Sequence, residues 1–325
     1  MQNCRICLTF DYELFFGDIS GTVDKCILTP TGLLLDTFEE RKIKGTFFID
    51  VLFFQRLLER KDSSRHIGLI REQVQRIVSL GSSIGLHLHP HWVNAVFEGP
   101  SWRFPSYKSY CLESFPSSQI EEMFVQGTSL LNEIAREAVK GYTCRTFRAG
   151  GFALPPFHMI ADAFRKNGIH IDSSIASRLH VEHADYTVDF PVVRKGCYHF
   201  ESDPLTETPG GAFTEVPIST REISVLQKIV KRLSGPAEEP PIFGDGIGMT
   251  YRNRWKRRLR ASSKLLSLDR GGQEYARAAA LAGKDLWTFI SHPKAMNVAS
   301  IDILRELHDS GFQFVNLEEA CLGDY

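Results

Sequence analysis

The chain has 325 residues, 43% hydrophobic and 24% charged, and its 38 Lys and Arg nearly balance 39 Asp and Glu. That composition excludes a disordered, collagen-like or low-complexity polypeptide, and a net charge of -1 offers nucleic acid no basic field. No basic stretch leading into an apolar run opens the sequence, and no run approaches the roughly 18 apolar residues of a membrane span. A cytoplasmic protein without a transmembrane segment is therefore the expectation. Seven cysteines at scattered positions give an odd count that suits reduced thiols better than a disulfide framework. Cys4 and Cys7 make a C-x-x-C, but in an extended run an offset of three points them to opposite faces, and no metal or redox role is expected there.

From the first residues onward, short β-rich runs alternate with amphipathic stretches. The runs are 6–9, 46–50, 83–87, 146–148, 169–172, 287–291 and 313–316. Such alternation predicts a parallel sheet with helical crossovers. Thr29 before Pro30 reads as an N-cap, Ser118 to Glu121 as a capping box, and Gly81 and Gly168 as helix stops. Two stretches break the rhythm. One, 92–117, is rich in aromatics, with Trp92, Phe97, Trp102, Phe104, Tyr107, Tyr110 and Phe115. The other, 177–284, holds a predicted hairpin region (187–193 and 213–217), a Pro/Gly-rich linker (235–248) and a basic helix over 252–266.

The candidate chemistry gathers at strand ends. Period 2 puts Thr9, Asp11 and Glu13 on one face at the end of the first strand, where parallel α/β folds place their sites. His87, His89 and His91 follow the third strand at i, i+2 and i+4, and neutral imidazole is a common metal ligand. His180 and His183 form a weaker pair in a polar stretch. Arg148 ends the fourth strand ahead of Gly150 and Gly151, Asp172 ends the fifth, and His292 ends a late strand that Pro293 terminates.

Five segments, Thr9-Phe10-Asp11-Tyr12-Glu13, His87-Leu88-His89-Pro90-His91, Arg148-Ala149-Gly150-Gly151, Asp172-Ser173-Ser174 and Ser291-His292-Pro293, together resemble the ordered motifs of the polysaccharide deacetylases, carbohydrate esterase family 4. The resemblance spans residues 9 to 292. It implies a distorted (β/α)7 barrel, with a long elaboration between the fifth strand and the last motif strand, at about 177–284. It further implies one divalent metal ion, zinc or else cobalt or nickel, and hydrolysis of an acetyl group on a sugar. Carried over, Asp11 looks like the general base and His292 like the general acid. Arg148 resembles the arginine that orients the base, and Asp172 the carboxylate that partners the acid. Glu13, His87 and His91 look like metal ligands, with His89 competing for the place of His91, and Gly151 stands where a backbone N–H meets the oxyanion. The chain departs from the pattern in its Asp-x-Glu spacing, in Gly-Gly in place of Pro-Tyr after the arginine, and in lacking a tryptophan in the fourth motif.

The expectation is thus a single catalytic domain, 1–325. It is a metal-dependent N-deacetylase of a sugar or glycan in envelope or extracellular polysaccharide biosynthesis. Trp102 is the candidate for stacking on sugar rings, and the arginines from Arg252 to Arg260 are candidates for holding a phosphate-linked substrate. The alternatives are a metal-dependent amidase on a non-sugar C–N bond and a non-catalytic glycan-binding barrel. Retention of both Asp11 and His292 speaks against the last.

Overall fold

Strands that are buried on both faces need helices on one side and a filled interior on the other. The computed structural model, described for residues 4–182, 186–193, 196–225, 240–249, 262–280 and 285–321, has that arrangement. The principal sheet is built from β1 (Arg5–Tyr12), β2 (Thr46–Asp50), β3 (Ser83–Leu88), β6 (Thr146–Ala149), β7 (Ile171–Asp172), β10 (Tyr198–Phe200), β11 (Phe213–Glu215), β14 (Leu286–Ser291) and β15 (Gln313–Val315). Its order is β10-β11-β7-β6-β3-β2-β1-β14, with β15 also on β1. Every pairing is parallel except that of β10 with β11. Ile218 donates to Ile175 O (2.8 Å), Ser219 to Thr288 O (2.9 Å) and Ile290 to Leu266 O (3.0 Å), which curls the two ends together through irregular chain. Short ribbons β4–β5 (Val96–Glu98, Ser101–Arg103), β8–β9 (His180–Glu182, Thr187–Asp189) and β12–β13 (Thr220–Ile223, Ser262–Leu265) decorate the frame.

Alternation along the strands sorts side chains into two compartments. Phe10, Phe47, Leu86 and Phe147 face outward into a core shared with Leu34, Phe38, Val74, Ile77, Phe124 and Leu131 of the surrounding helices. Removing each such side chain from water contributes about 1.5–3 kcal/mol before entropy is counted. Cys7, Phe48, Ile171, Val216 and Leu286 face inward, and Leu317 and Ala320 of the last helical turn cover them from below. Gly85 lets this inner layer close: a Cβ there would stand 2.5 Å from Thr146 Oγ1 and 2.6 Å from the Phe48 ring. With the lower interior filled by apolar groups, the polar side chains of the same faces are confined to the C-terminal end of the barrel.

Several local expectations change in three dimensions. Thr29 is not an N-cap, because the chain is already helical from Asp24 to Leu28, and Ser118 lies inside the helix Ser117–Ala138, whose N-cap is Pro116. Gly168 closes its helix in the left-handed conformation (φ 67°). The predicted hairpin of 187–193 with 213–217 does not form. β9 pairs with β8, and β11 joins the main sheet between β10 and β7. The basic arginines from Arg252 to Arg260 and His183 lie outside the described residues, whereas 262–265 is strand and not helix.

Candidate active site and metal centre

Strand register brings the first half of the site together. His87 stands opposite Arg148 on β3 and β6, and Asp11 opposite Phe48 on β1 and β2, so their side chains enter the barrel at neighbouring levels. Arg148 is fully buried and spends its fork on one wall. Nη1 donates to Asp11 Oδ1 (2.6 Å), Nη2 to Thr9 Oγ1 (2.8 Å) and Ser173 Oγ (3.0 Å), and Nε to Ser173 O (2.8 Å). Its guanidinium also lies 4.1 Å from the centre of the Phe48 ring. Burial alone would raise the Asp11 pKa, but Arg148, with His87 and His292, holds it below the ordinary carboxylate value. Asp11 Oδ1 is occupied by Arg148, while Oδ2 faces His292 Nε2 at 3.6 Å and His87 Nε2 at 3.9 Å.

The nitrogen–carboxylate cluster is Glu13, His87 and His89, whose ligand atoms all lie within 4.8 Å of one another and are buried. Glu13 Oε2 is 3.1 Å from His87 Nε2 and 2.7 Å from His89 Nε2. His87 Nδ1 is 2.8 Å from the Arg148 carbonyl, which can only accept, so Nδ1 carries the hydrogen. With Nδ1 so committed, Nε2 faces Glu13 Oε2. Burial opposes protonation of His87, but Asp11 and Glu13 outweigh it, so the ring donates Nε2–H to Glu13 as an imidazolium, and a divalent ion taking that proton's place would meet the Nε2 lone pair. A metal-bound imidazole commonly has this outer hydrogen bond, and a donor set of one oxygen and two nitrogens suits a divalent ion such as zinc. The residues therefore fit a metal.

His91 lies outside this cluster, contrary to the expected ligand set. Pro90 ends the extended backbone and starts a 3-10 turn over Pro90–Asn94, so the i, i+2 alternation that aligns His87 with His89 stops before His91. The His91 ring lies instead between Tyr110 (4.9 Å, stacked), Phe16 (4.7 Å) and Phe104 (4.8 Å), with neither ring nitrogen hydrogen-bonded. Burial pushes its pKa well below the usual histidine value, and that of His89 down to about 4.

A second correction concerns the expected partner of His292. His292 does not pair with Asp172; its Nδ1 meets Asp269 Oδ2 at 2.7 Å, and its backbone N–H donates to Asp269 Oδ1 at 2.7 Å. Burial opposes protonation, but the charge and hydrogen bond of Asp269 outweigh it, and the His292 pKa rises to about 9. Asp269 gets there because 266–269 runs beside β14, with Leu268 N donating to Ser291 Oγ (2.9 Å). Alternating Leu266, Ser267, Leu268 and Asp269 before Gly271 and Gly272 is the signal that would have marked another strand-like end. Asp172 accepts from Ser174 Oγ (2.6 Å) and stands opposite Glu215 across the β7–β11 pair. Burial raises both carboxyls, and for Glu215 the neighbouring Asp172 adds to it.

Gly151 adopts φ 58°, and a Cβ there would fall 2.2 Å from Tyr110 Oη, so the position beside the site admits no side chain. Trp102 does not face solvent. It is 4% exposed and packs edge-on against Phe97 (5.1 Å) and Trp92 (5.4 Å), which makes it part of the main hydrophobic core instead of a stacking platform. Another site residue absent from the sequence reading is Lys294, buried, with Nζ 2.8 Å from Glu13 Oε1. The side chains of His292 and Asp269 are 24% and 22% exposed while the cluster behind them is closed, so approach is from the β14 side.

No family model matches the chain, and no curated protein matches it. Among solved structures it is similar to a protein from Mycobacterium smegmatis provisionally described as a polysaccharide deacetylase, with TM-score 0.50 and 14% identity over 97% of this chain and 87% of that one. Lower TM-scores accompany a peptidoglycan deacetylase from Bacillus subtilis (0.40, 12% identity, 98% and 90% covered) and a family 4 acetyl xylan esterase from Clostridium thermocellum (0.37, 13%, 97% and 89%). The likeness stands on the mycobacterial structure. The fold is that of a curled, mostly parallel barrel. In particular, it is a distorted (β/α)7 barrel like that of the mycobacterial structure.

Proposed function

We propose that the chain is a metal-dependent carbohydrate deacetylase, a hydrolase of carbon–nitrogen bonds that removes an N-acetyl group from a sugar. The observation that carries this reading is the opposed pair beside the Glu13, His87 and His89 cluster. A carboxylate kept ionised by Arg148 stands 3.6 Å from a histidine kept protonated by Asp269. Opposed environments for a base and an acid are what amide hydrolysis requires.

Glu13, His87 and His89 would hold a divalent ion such as zinc, which would supply Lewis-acid polarisation of the acetyl carbonyl and acidify an adjacent water. Asp11 Oδ2 accepts the proton of the attacking water, since Oδ1 is committed to Arg148. His292 Nε2 gives its proton to the departing nitrogen, with Asp269 fixing Nδ1–H and thereby the direction of the transferable proton. Gly151 offers its backbone N–H to the developing oxyanion. The buried walls exclude bulk water from these charges, which strengthens each of them.

The proposed setting is the cytoplasm, in the assembly of an envelope or extracellular polysaccharide, with the whole chain acting as one catalytic domain. A phosphate-linked substrate rests on that setting alone. The test is metal analysis of the purified protein combined with an acetate-release screen over acetylated amino sugars, free and phosphate-linked. Metal-dependent acetate release supports the reading. Absence of acetate release, with opening of a non-sugar amide, would replace it by an amidase.

A further inference from the structure

Lys294 sits inside the polar end of the barrel, 5% exposed, two residues past His292 on the 3-10 turn Pro293–Ala295. A buried ammonium requires partners that compensate its lost hydration. It has two on one segment: Nζ is 2.8 Å from Glu13 Oε1 and 2.5 Å from the Leu14 carbonyl. The Phe15 and Phe16 rings complete its surroundings, with centroids 4.9 and 5.0 Å from Nζ. The turn carrying it is itself anchored, with Gly244 N donating to Lys294 O at 2.9 Å and Ala295 N to His292 O at 2.8 Å.

The consequence falls on Glu13. Its two carboxylate oxygens have different company: Oε1 is hydrogen-bonded by Lys294, with His292 Nε2 further off at 3.8 Å, and Oε2 meets His87 and His89. A glutamate just beyond the end of β1 has three side-chain torsions and would otherwise present one or both oxygens to a cation. We propose, on the basis of the metal-dependent reading above, that Lys294 is a positioning residue. It claims Glu13 Oε1, restricts Glu13 to a single-oxygen ligand, and holds that ligand in one orientation. Outer partners of metal ligands act in this way through orientation, and their loss typically costs about 10–100-fold in metal affinity or activity. Lys294 touches no reacting atom in this scheme and acts only through Glu13.

The experiment is cobalt(II) binding to the metal-free full-length chain, followed by calorimetry and by the visible ligand-field spectrum, in wild type and in Lys294→Met. Lys294→Met is expected to weaken cobalt binding about 10-fold or more and to alter the visible bands as the second oxygen becomes available. In a Glu13→Asp background, where the carboxylate is drawn back from Nζ by one methylene, the same replacement should change affinity by less than about twofold, because the coupling runs through one contact. Unchanged affinity and an unchanged spectrum in Lys294→Met would overturn the inference while leaving the metal-dependent reading in place. An equal loss in the Glu13→Asp background would overturn it too, by showing a general effect of the charge. Should Lys294→Met fail to fold, Lys294→Arg keeps the charge and lengthens the arm. It is expected to move the spectrum, and an unmoved spectrum refutes the tether. A wild-type chain that binds no cobalt or zinc defeats the metal-dependent reading itself, and this inference with it.

Discussion

The two halves of the candidate site are built differently. Asp11, His87 and Arg148 stand on parallel strands of one sheet, where backbone ladders fix their levels, and all three are almost fully buried. His292, Asp269 and Lys294 come from the end of β14 and from irregular chain beside it, and His292 and Asp269 are partly exposed. The strand-borne half places its charges by register and needs no long-range agreement beyond the sheet. The other half depends on chain segments meeting at the seam of the barrel, where His292 rests on Asp269 and Lys294 on Glu13 and the Leu14 carbonyl. Substitutions should therefore disturb the first half chemically without moving it, and the second half geometrically.

The largest effect is expected at Asp11. Asp11→Asn keeps the shape and the Arg148 contact but cannot take a proton, so kcat should fall about 10²–10⁴-fold with metal content retained. Near-normal turnover would break the division between halves at its strongest point. Next comes the ligand set. His89→Ala should lose bound metal on dialysis, whereas His91→Phe should retain it, and loss in His91→Phe instead would return the ligand role to His91.

Asp269→Asn tests the irregular half through pH. His292 must be protonated to act as an acid, and Asp269 holds its pKa up to about 9, so activity is retained until pH rises through that value. Without the Asp269 charge the folded pKa drops, and the alkaline limb of kcat/KM should move to lower pH. An unmoved limb would remove Asp269 from the acid pair.

Two smaller effects separate structure from chemistry. Trp102→Ala should cost about 3–5 kcal/mol of stability, as for a large buried aromatic, with KM for an acetylated sugar unchanged. The Asp172–Glu215 pair has raised carboxyl pKa values, so the folded chain binds more protons than the unfolded one above the ordinary values of 3.8 and 4.5. Stability from this pair is therefore complete below about pH 4 and is lost as pH rises through the raised values. Glu215→Gln should flatten the decline of Tm as pH rises above the ordinary carboxyl range, as followed by thermal melts at fixed ionic strength. A Glu215→Gln protein with the wild-type slope would show that the two carboxyls do not share their burden.

The amino-acid sequence by itself determined the parallel frame and the residues at its strand ends. Period 2 in a strand and the position of Pro90 and Pro293 are local, and they placed Asp11, Glu13, His87, Arg148 and His292 at one end of the barrel without reference to any contact. It did not determine which groups pair. His91 was separated from His87 by a change of backbone state at Pro90, and Asp172 faced Glu215 and not His292 because β11 inserted beside β7. Asp269 and Lys294 became site residues only through the course of 266–269 along β14 and the turn after His292, and Trp102 became core because Phe97 and Trp92 closed over it. Local propensity acts over a few bonds, whereas the partner of a buried charge is chosen by whichever chain segment fills the space next to it, and only the tertiary structure settles that.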